Sequence, residues 1–260
     1  MHKQKALVTG AGKRIGRAMA LYLGQRGFDV AVHYSNSQGG AEEVVAQLRA
    51  LGVSAVSLQA DLLIETEMQT LVARAREALG GPLTLLVNNA SIFEQDTIET
   101  ATRESWDRHI ESNLRAPVVL TQSFAAQAPA AKVDALGETV AQALVVNLID
   151  QRVRKLTPDF MSYTVAKMGL WAFTQTAAQA LAPHVRVNAI GPGPTLQGAH
   201  QTAQDFAAQR KATVLGRGSN TEDITAALGY FCDAHGVTGQ LICTDGGQHL
   251  GWRTDDVDGS

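Results

Sequence analysis

The chain has 260 residues, of which 45% are hydrophobic and 18% charged, a composition too apolar for a disordered segment. A formal charge of −3 offers no electrostatic case for nucleic acid or an anionic membrane surface as a partner. Two cysteines, Cys232 and Cys243, are too few for a disulfide framework or a zinc site and fit buried thiols in a reducing, cytoplasmic setting.

The opening stretch MHKQKALVTG lacks the apolar length of a leader, and no window approaches ~18 uninterrupted apolar residues, so a soluble, non-membrane protein is expected. The first apolar run, 6–9, predicts a strand and leads through glycines into a helical pattern over 15–25. Strand 30–34 precedes helix 41–51, strand 55–59 precedes helix 65–79, and strand 83–88 precedes a long helix over 103–126. Strand 144–149 is followed by helix 163–182, and strand 185–190 opens into a Gly/Pro cluster at 191–194. Helix 221–232 and strand 241–244 close the series.

Most of these strands are apolar on successive residues, as strands covered on both faces are. Their alternation with helices predicts an α/β fold: a single-domain, Rossmann-type, doubly wound seven-stranded parallel sheet with helices on both faces. The expected domain spans 1–253, with a substrate loop near 194–215 and a loose polar tail at 254–260. In such sheets ligands bind at the carboxyl ends of the strands, which directs attention to the residues just after each one.

After the first strand stand Thr9-Gly10-Ala11-Gly12-Lys13-Arg14-Ile15-Gly16. Glycines there let a pyrophosphate approach backbone N–H groups at a helix start, though they also serve simply to join a strand to a helix. Arg14 is suited to a phosphate, since a guanidinium engages phosphate bidentately. After the second strand the chain reads His33-Tyr34-Ser35-Asn36-Ser37, with no acid before Glu42 to hold a ribose 2′-hydroxyl. These features favour NADP(H) over NAD(H). Asp61-Leu62 follow the third strand, where Asp61 is placed either to bind adenine or to cap the next helix.

Tyr163 and Lys167 lie four residues apart, on one face of a helix. A neighbouring ammonium lowers the pKa of a phenol and suits it to proton transfer. In combination with the glycine turn and Asn88-Asn89-Ala90, this pair resembles the short-chain dehydrogenase/reductase family over essentially the full length. Asp61-Leu62, Asn113, Arg186-Val187-Asn188, Gly191-Pro192-Gly193 and Asp245-Gly246-Gly247 complete the match. The resemblance implies an NAD(P)(H)-dependent oxidoreductase with Tyr163 as proton donor, Lys167 tuning it, and Asn113 holding a water in the proton relay. Pro192 and Gly193 would border the nicotinamide, and a homotetramer or homodimer would form through the helices at 103–126 and 163–182.

Two positions depart from the common family pattern: Arg14 stands where glycine is usual, and Asp150 where serine is usual. Both resemble the pteridine reductase branch, as do His33-Tyr34 and Asn89-Ala90-Ser91-Ile92-Phe93. That likeness implies a pterin held by Ser91 and sandwiched between Phe93 and nicotinamide, with Pro194 and Thr195 contributing to the substrate wall. Arg14, Asp150 and Tyr163 would also touch the substrate. The expected reaction is NADPH-dependent reduction of a C=N bond in a pterin or dihydrofolate-type ring. A carbonyl or 3-oxoacyl reductase, or a non-catalytic NADP(H) sensor, are the alternatives. His109, His184, His200, His235 and His249 show no ligand spacing, so no metal is expected. Trp106 and Trp171 read as packing or subunit-contact residues.

Overall fold

The computed structural model describes residues 3–198 and 201–252. The predicted tail at 254–260, the domain end at 253 and His200 lie outside them. The chain runs β1 (Lys5–Val8), α1 (Arg14–Gln25), β2 (Asp29–Tyr34), α2 (Gln38–Ala50), β3 (Ala55–Gln59), α3 (Glu65–Ala78) and β4 (Leu85–Asn88). Next come α4 (Arg103–Ile110), a π-helical turn (Glu111–Arg115), α5 (Ala116–Gln127) and a short hairpin of β5 (Lys132–Val133) and β6 (Thr139–Val140). The final part holds β7 (Ala143–Leu148), α6 (Met161–Ala180), β8 (Val185–Pro192), α7 (Ala203–Lys211), α8 (Thr221–Asp233) and β9 (Leu241–Thr244).

Seven strands form one sheet in the order β3-β2-β1-β4-β7-β8-β9, every pair parallel. The period-2 geometry of a strand divides the apolar runs between two cores. Ala6, Val8, Val30, Val32, Leu85 and Val87 face α1, α2 and α8, while Leu7, Ala31 and Leu86 face α3, α5 and α6. Helical spacing supplies the matching faces, with Met19 and Leu23 on the first side and Leu120 and Phe124 on the second. Truncating the fully buried Phe124 to alanine would cost about 3–5 kcal/mol. The order in which the chain adds strands reverses between β1 and β4, and the crevice that opens there holds the site.

Two expectations are corrected, and one element is new. The single helix over 103–126 is broken by the π-helical turn, because Pro117 has no N–H to return to the Asn113 carbonyl. The expected loop at 194–215 contains α7, whose start is capped by the Thr202 side chain accepting from the Asp205 N–H. The β5–β6 hairpin was not foreseen, since strands of two exposed residues carry no periodic signal. Among the described residues, no three His, Cys, Asp or Glu side chains gather as metal ligands, and no helix is long and apolar enough to cross a membrane.

Candidate active site

A cavity of about 780 Å³ follows the carboxyl ends of the strands from the β1–α1 turn to the start of α6. Every predicted cofactor and substrate residue lines it except Tyr34, which packs against the apolar core beneath α1 and α2. Asn113, predicted to act in catalysis, lies beneath the wall and is fully buried.

The turn after β1 depends on two glycines. Gly10 has φ +62, a left-handed conformation open to glycine, and a Cβ on Gly16 would stand 2.3 Å from the Gly10 carbonyl oxygen. Thr9 and Asn89 brace the turn: the Asn89 amide donates to the Thr9 carbonyl at 2.8 Å, and the Ala90 N–H donates to Thr9 Oγ1 at 2.9 Å. His33 braces it from the other side. The Gly10 N–H donates to His33 Nδ1 at 3.1 Å, so Nε2–H donates to the Ala60 carbonyl at 3.0 Å. Burial holds this imidazole neutral, pushing its pKa down to about 4. The ring is therefore a strut between three strand ends.

Ser35, Asn36 and Ser37 end the cavity beyond β2, together with Lys13, which sequence reasoning missed. None of these four side chains is acidic; the acids on the described wall are Asp61, after the neighbouring β3, and Asp150. Asp61 accepts the Leu63 N–H at 3.0 Å in a tight turn, and α3 begins later at Glu65, so the helix-cap reading is not what forms. These hydroxyls, the amide, the cation and the start of α1, which bears no acid in its first turn, are the donors an adenine dinucleotide with an added phosphate requires.

Arg14 has φ +52, left-handed and costly for a side chain with a Cβ, which accounts physically for glycine being usual here. Its guanidinium crosses the cavity and donates to the Leu196 and Gln197 carbonyls at 3.1 and 3.0 Å. Arg14 thus ties the turn after β1 to the loop after β8. Arg210 of α7 holds the base of that loop by donating to the Pro194 and Ser219 carbonyls.

At the other end, Tyr163 Oη donates to Asp150 Oδ2 at 3.1 Å. Asp150 also accepts the Arg152 N–H at 2.8 Å, and its pKa is raised by burial against the pull of that bond and of the Arg152 charge. Burial, then the negative charge of Asp150, hold the phenol well above its ordinary value, while the Ser91 hydroxyl beside it acts the other way. This reverses the lowering expected from Lys167. The Lys167 Nζ donates to the Leu148 carbonyl at 2.8 Å and lies 5.5 Å from the centre of the Tyr163 ring. Burial pushes that ammonium down to about 8. Asn113 spends its side chain on one residue, accepting from the Ile92 N–H at 2.9 Å and donating to the Ile92 carbonyl at 2.8 Å. It splints the segment after β4.

Phe93 is 50% exposed at the cavity wall rather than in the core. It stacks on Phe160 at 4.2 Å and meets Tyr163 edge-on at 4.7 Å. The Arg152 guanidinium covers the Phe160 ring at 4.9 Å. Neither Phe160 nor Arg152 was singled out from sequence, where a lone aromatic after Pro158-Asp159 carries no chemical signature.

A glycine turn at the sheet's switch point and a tyrosine–lysine helix face across one cavity define a nicotinamide-dependent oxidoreductase. The family model for short chain dehydrogenase matches residues 4–208, and the chain belongs to that family. Among solved structures it is similar to FolM alternative dihydrofolate reductase 1 from Brucella suis in complex with NADP. That match has a TM-score of 0.90 and 41% identity and covers 98% of each chain. It is 32% identical over 250 residues to an uncharacterised oxidoreductase of Methylorubrum extorquens, covering 93% of this chain and 96% of that protein. It is also 29% identical over 252 residues to the 3-oxoacyl-[acyl-carrier-protein] reductase FabG of Staphylococcus aureus, covering 95% and 98%.

Proposed function

We propose that this protein is an NADPH-dependent reductase of a C=N bond in a pterin or dihydrofolate-type ring. The observation that carries the reading is the Asp150 carboxylate bonded to the Tyr163 phenol, facing the exposed ring of Phe93 across the substrate end. The similarity to the FolM alternative dihydrofolate reductase crystallised with NADP supports both the ring class and the cofactor.

A bound nicotinamide supplies the hydride; the proton and the substrate's placement fall to this chain. Phe93 offers a half-exposed aromatic ring on which a flat heterocycle can stack, and Ser91 a hydroxyl nearby on the cavity wall. Tyr163, kept protonated by its surroundings, delivers the proton from Oη to the ring nitrogen. The Asp150 carboxylate, 3.1 Å away, then takes a proton from the cavity's solvent side and passes it to the phenolate. Reduced ring carbon and protonated ring nitrogen balance the hydride and proton consumed. A serine in place of Asp150 steadies a ketone oxygen, but its hydroxyl does not titrate as a carboxyl does.

Steady-state oxidation of NADPH with dihydrobiopterin and dihydrofolate, run against simple ketones and 3-oxoacyl thioesters, tests the reading. Turnover with the ketones or thioesters alone would remove the pterin assignment in favour of a carbonyl reductase, the reading that the similarity to FabG favours. A preference for NADPH over NADH of tenfold or more in kcat/KM is expected from the cation of Lys13 and the acid-free stretch Ser35–Ser37 after β2. The homotetramer or homodimer implied by the family pattern belongs to the same reading, and light scattering tests it.

A further inference from the structure

Beneath the substrate end lies a buried chain of polar groups that the proton transfer itself does not use. His109, on α4, is fully buried, as are Ser162 at the start of α6 and Asp96 in the segment after β4. The Glu94 N–H donates to His109 Nε2 at 3.1 Å, which fixes the proton on Nδ1. His109 Nδ1–H faces Ser162 Oγ at 2.6 Å, and the Ser162 hydroxyl donates in turn to Asp96 Oδ2. The other carboxylate oxygen accepts the Ser162 N–H at 3.2 Å, while Ser105 Oγ stands 3.4 Å from Oδ2.

The backbone of Asp96 does further service. Its carbonyl accepts the Phe160 N–H at 2.7 Å and the Met161 N–H at 3.3 Å, holding Phe160 at φ +59. A bulky residue in that left-handed region persists only where its surroundings over-determine it. Phe160 is the ring on which Phe93 stacks, and Tyr163 follows Ser162 directly.

Three chain segments meet in this cluster. The segment after β4 carries Ser91 and Phe93, α4 leads into the π-helical turn bearing Asn113, and the start of α6 carries Tyr163. Each hydrogen bond of the cluster beyond Ser105 joins two of the three. The imidazole ring also meets the Tyr163 ring edge-on, with centres 6.0 Å apart.

We infer that Asp96, Ser162 and His109 form a positioning unit that sets the Tyr163 phenol against the ring of Phe93. Its members touch neither substrate nor cofactor and act through the segments they join. The inference rests on Tyr163 as the proton donor and not on the identity of the substrate, because a phenol must be aimed at the reacting atom in either chemistry. Misplacement by ~1 Å is enough to cost about 100-fold in rate.

The test uses the full chain with whichever substrate is turned over, and reads kcat per NADPH-binding site beside the Kd for NADPH. Ser162→Ala and Asp96→Asn should lower kcat per site by about tenfold or more, with Kd for NADPH within about twofold of the parent. The cofactor turn at Gly10–Gly16 shares no bond with the cluster, so a positioning defect spares it. His109→Gln keeps an acceptor for the Glu94 N–H and should lose less kcat than His109→Leu; combined with Ser162→Ala it should be non-additive. Unchanged kcat per site in Ser162→Ala and Asp96→Asn would overturn the inference. So would NADPH binding that weakens in step with kcat, which marks a general loss of structure. Tyr163→Phe serves as the control: if it keeps full activity, the proton-donor reading itself fails, and that result is distinct from either of the others.

Discussion

The Tyr163 hydroxyl donates to the Asp150 carboxylate across 3.1 Å in the cavity, so the phenol has a buried carboxylate at its back. In this arrangement the phenol is held protonated and the carboxyl is raised from its usual range.

Asp150→Asn should keep the hydrogen bond and lose the proton supply. The expected result is a fall in kcat of about 100-fold, with little change in KM, and loss of the acid-side inflection that the raised carboxyl imposes. Asp150→Ser goes further: a pterin reductase should lose turnover, whereas a carbonyl reductase should tolerate the change. Measured pH–rate profiles of the two variants decide between these outcomes.

Lys167 is a buried cation whose pKa is pushed down to about 8. The unfolded chain binds this proton more tightly, so between about pH 8 and the ordinary lysine value stability rises with pH. At pH 7 the charge destabilises the fold. Lys167→Met should therefore raise Tm by at least ~2 °C at pH 7 while lowering kcat/KM by about 100-fold. Thermal scans paired with steady-state assays check both halves.

His33 gives a stability prediction of the same sign in another window. Its pKa falls from 6.5 to about 4 on folding, so the unfolded chain takes up the proton first. Stability is fully present above pH 6.5, is lost as pH falls towards 4, and changes no further from this group below that; the span is worth roughly 3 kcal/mol. Urea midpoints measured from pH 7 to pH 4 should fall across this window. His33→Asn should flatten that dependence.

Arg14→Gly removes a left-handed strain and the two bonds to Leu196 and Gln197 together. Relief of ~1 kcal/mol of strain offsets the lost clamp, so Tm should hold within ~2 °C. KM for both NADPH and substrate should rise by about tenfold, because the loop after β8 is no longer tied to the cofactor turn. A fall in Tm with unchanged KM would show that the clamp serves the fold alone.

The strands and most helices were legible because burial imposes a period on the sequence. Alternate residues of β1, β2 and β4 feed two different cores, and runs apolar at every position result. The glycine turn, the Tyr163–Lys167 pair and Asp150 were legible because each is local, a matter of spacing along one element. Pro117 also carried the signal of the break after α4, through its missing N–H, yet the apolar pattern around it continues unbroken.

What the sequence by itself determined is therefore the parallel α/β sheet, the family and the residues that gather at the carboxyl ends of its strands. Only the tertiary structure decided what those residues do to one another. It turned His33 into a strut and Asn113 into a splint, sent Arg14 across to the loop after β8, and raised the Tyr163 phenol where Lys167 alone would lower it. It also joined Asp96, His109 and Ser162, which no spacing rule connects. The physical reason is the same throughout. Secondary structure is a local response to pattern, whereas pKa values, hydrogen-bond partners and strain depend on groups brought together by folding from distant parts of the chain.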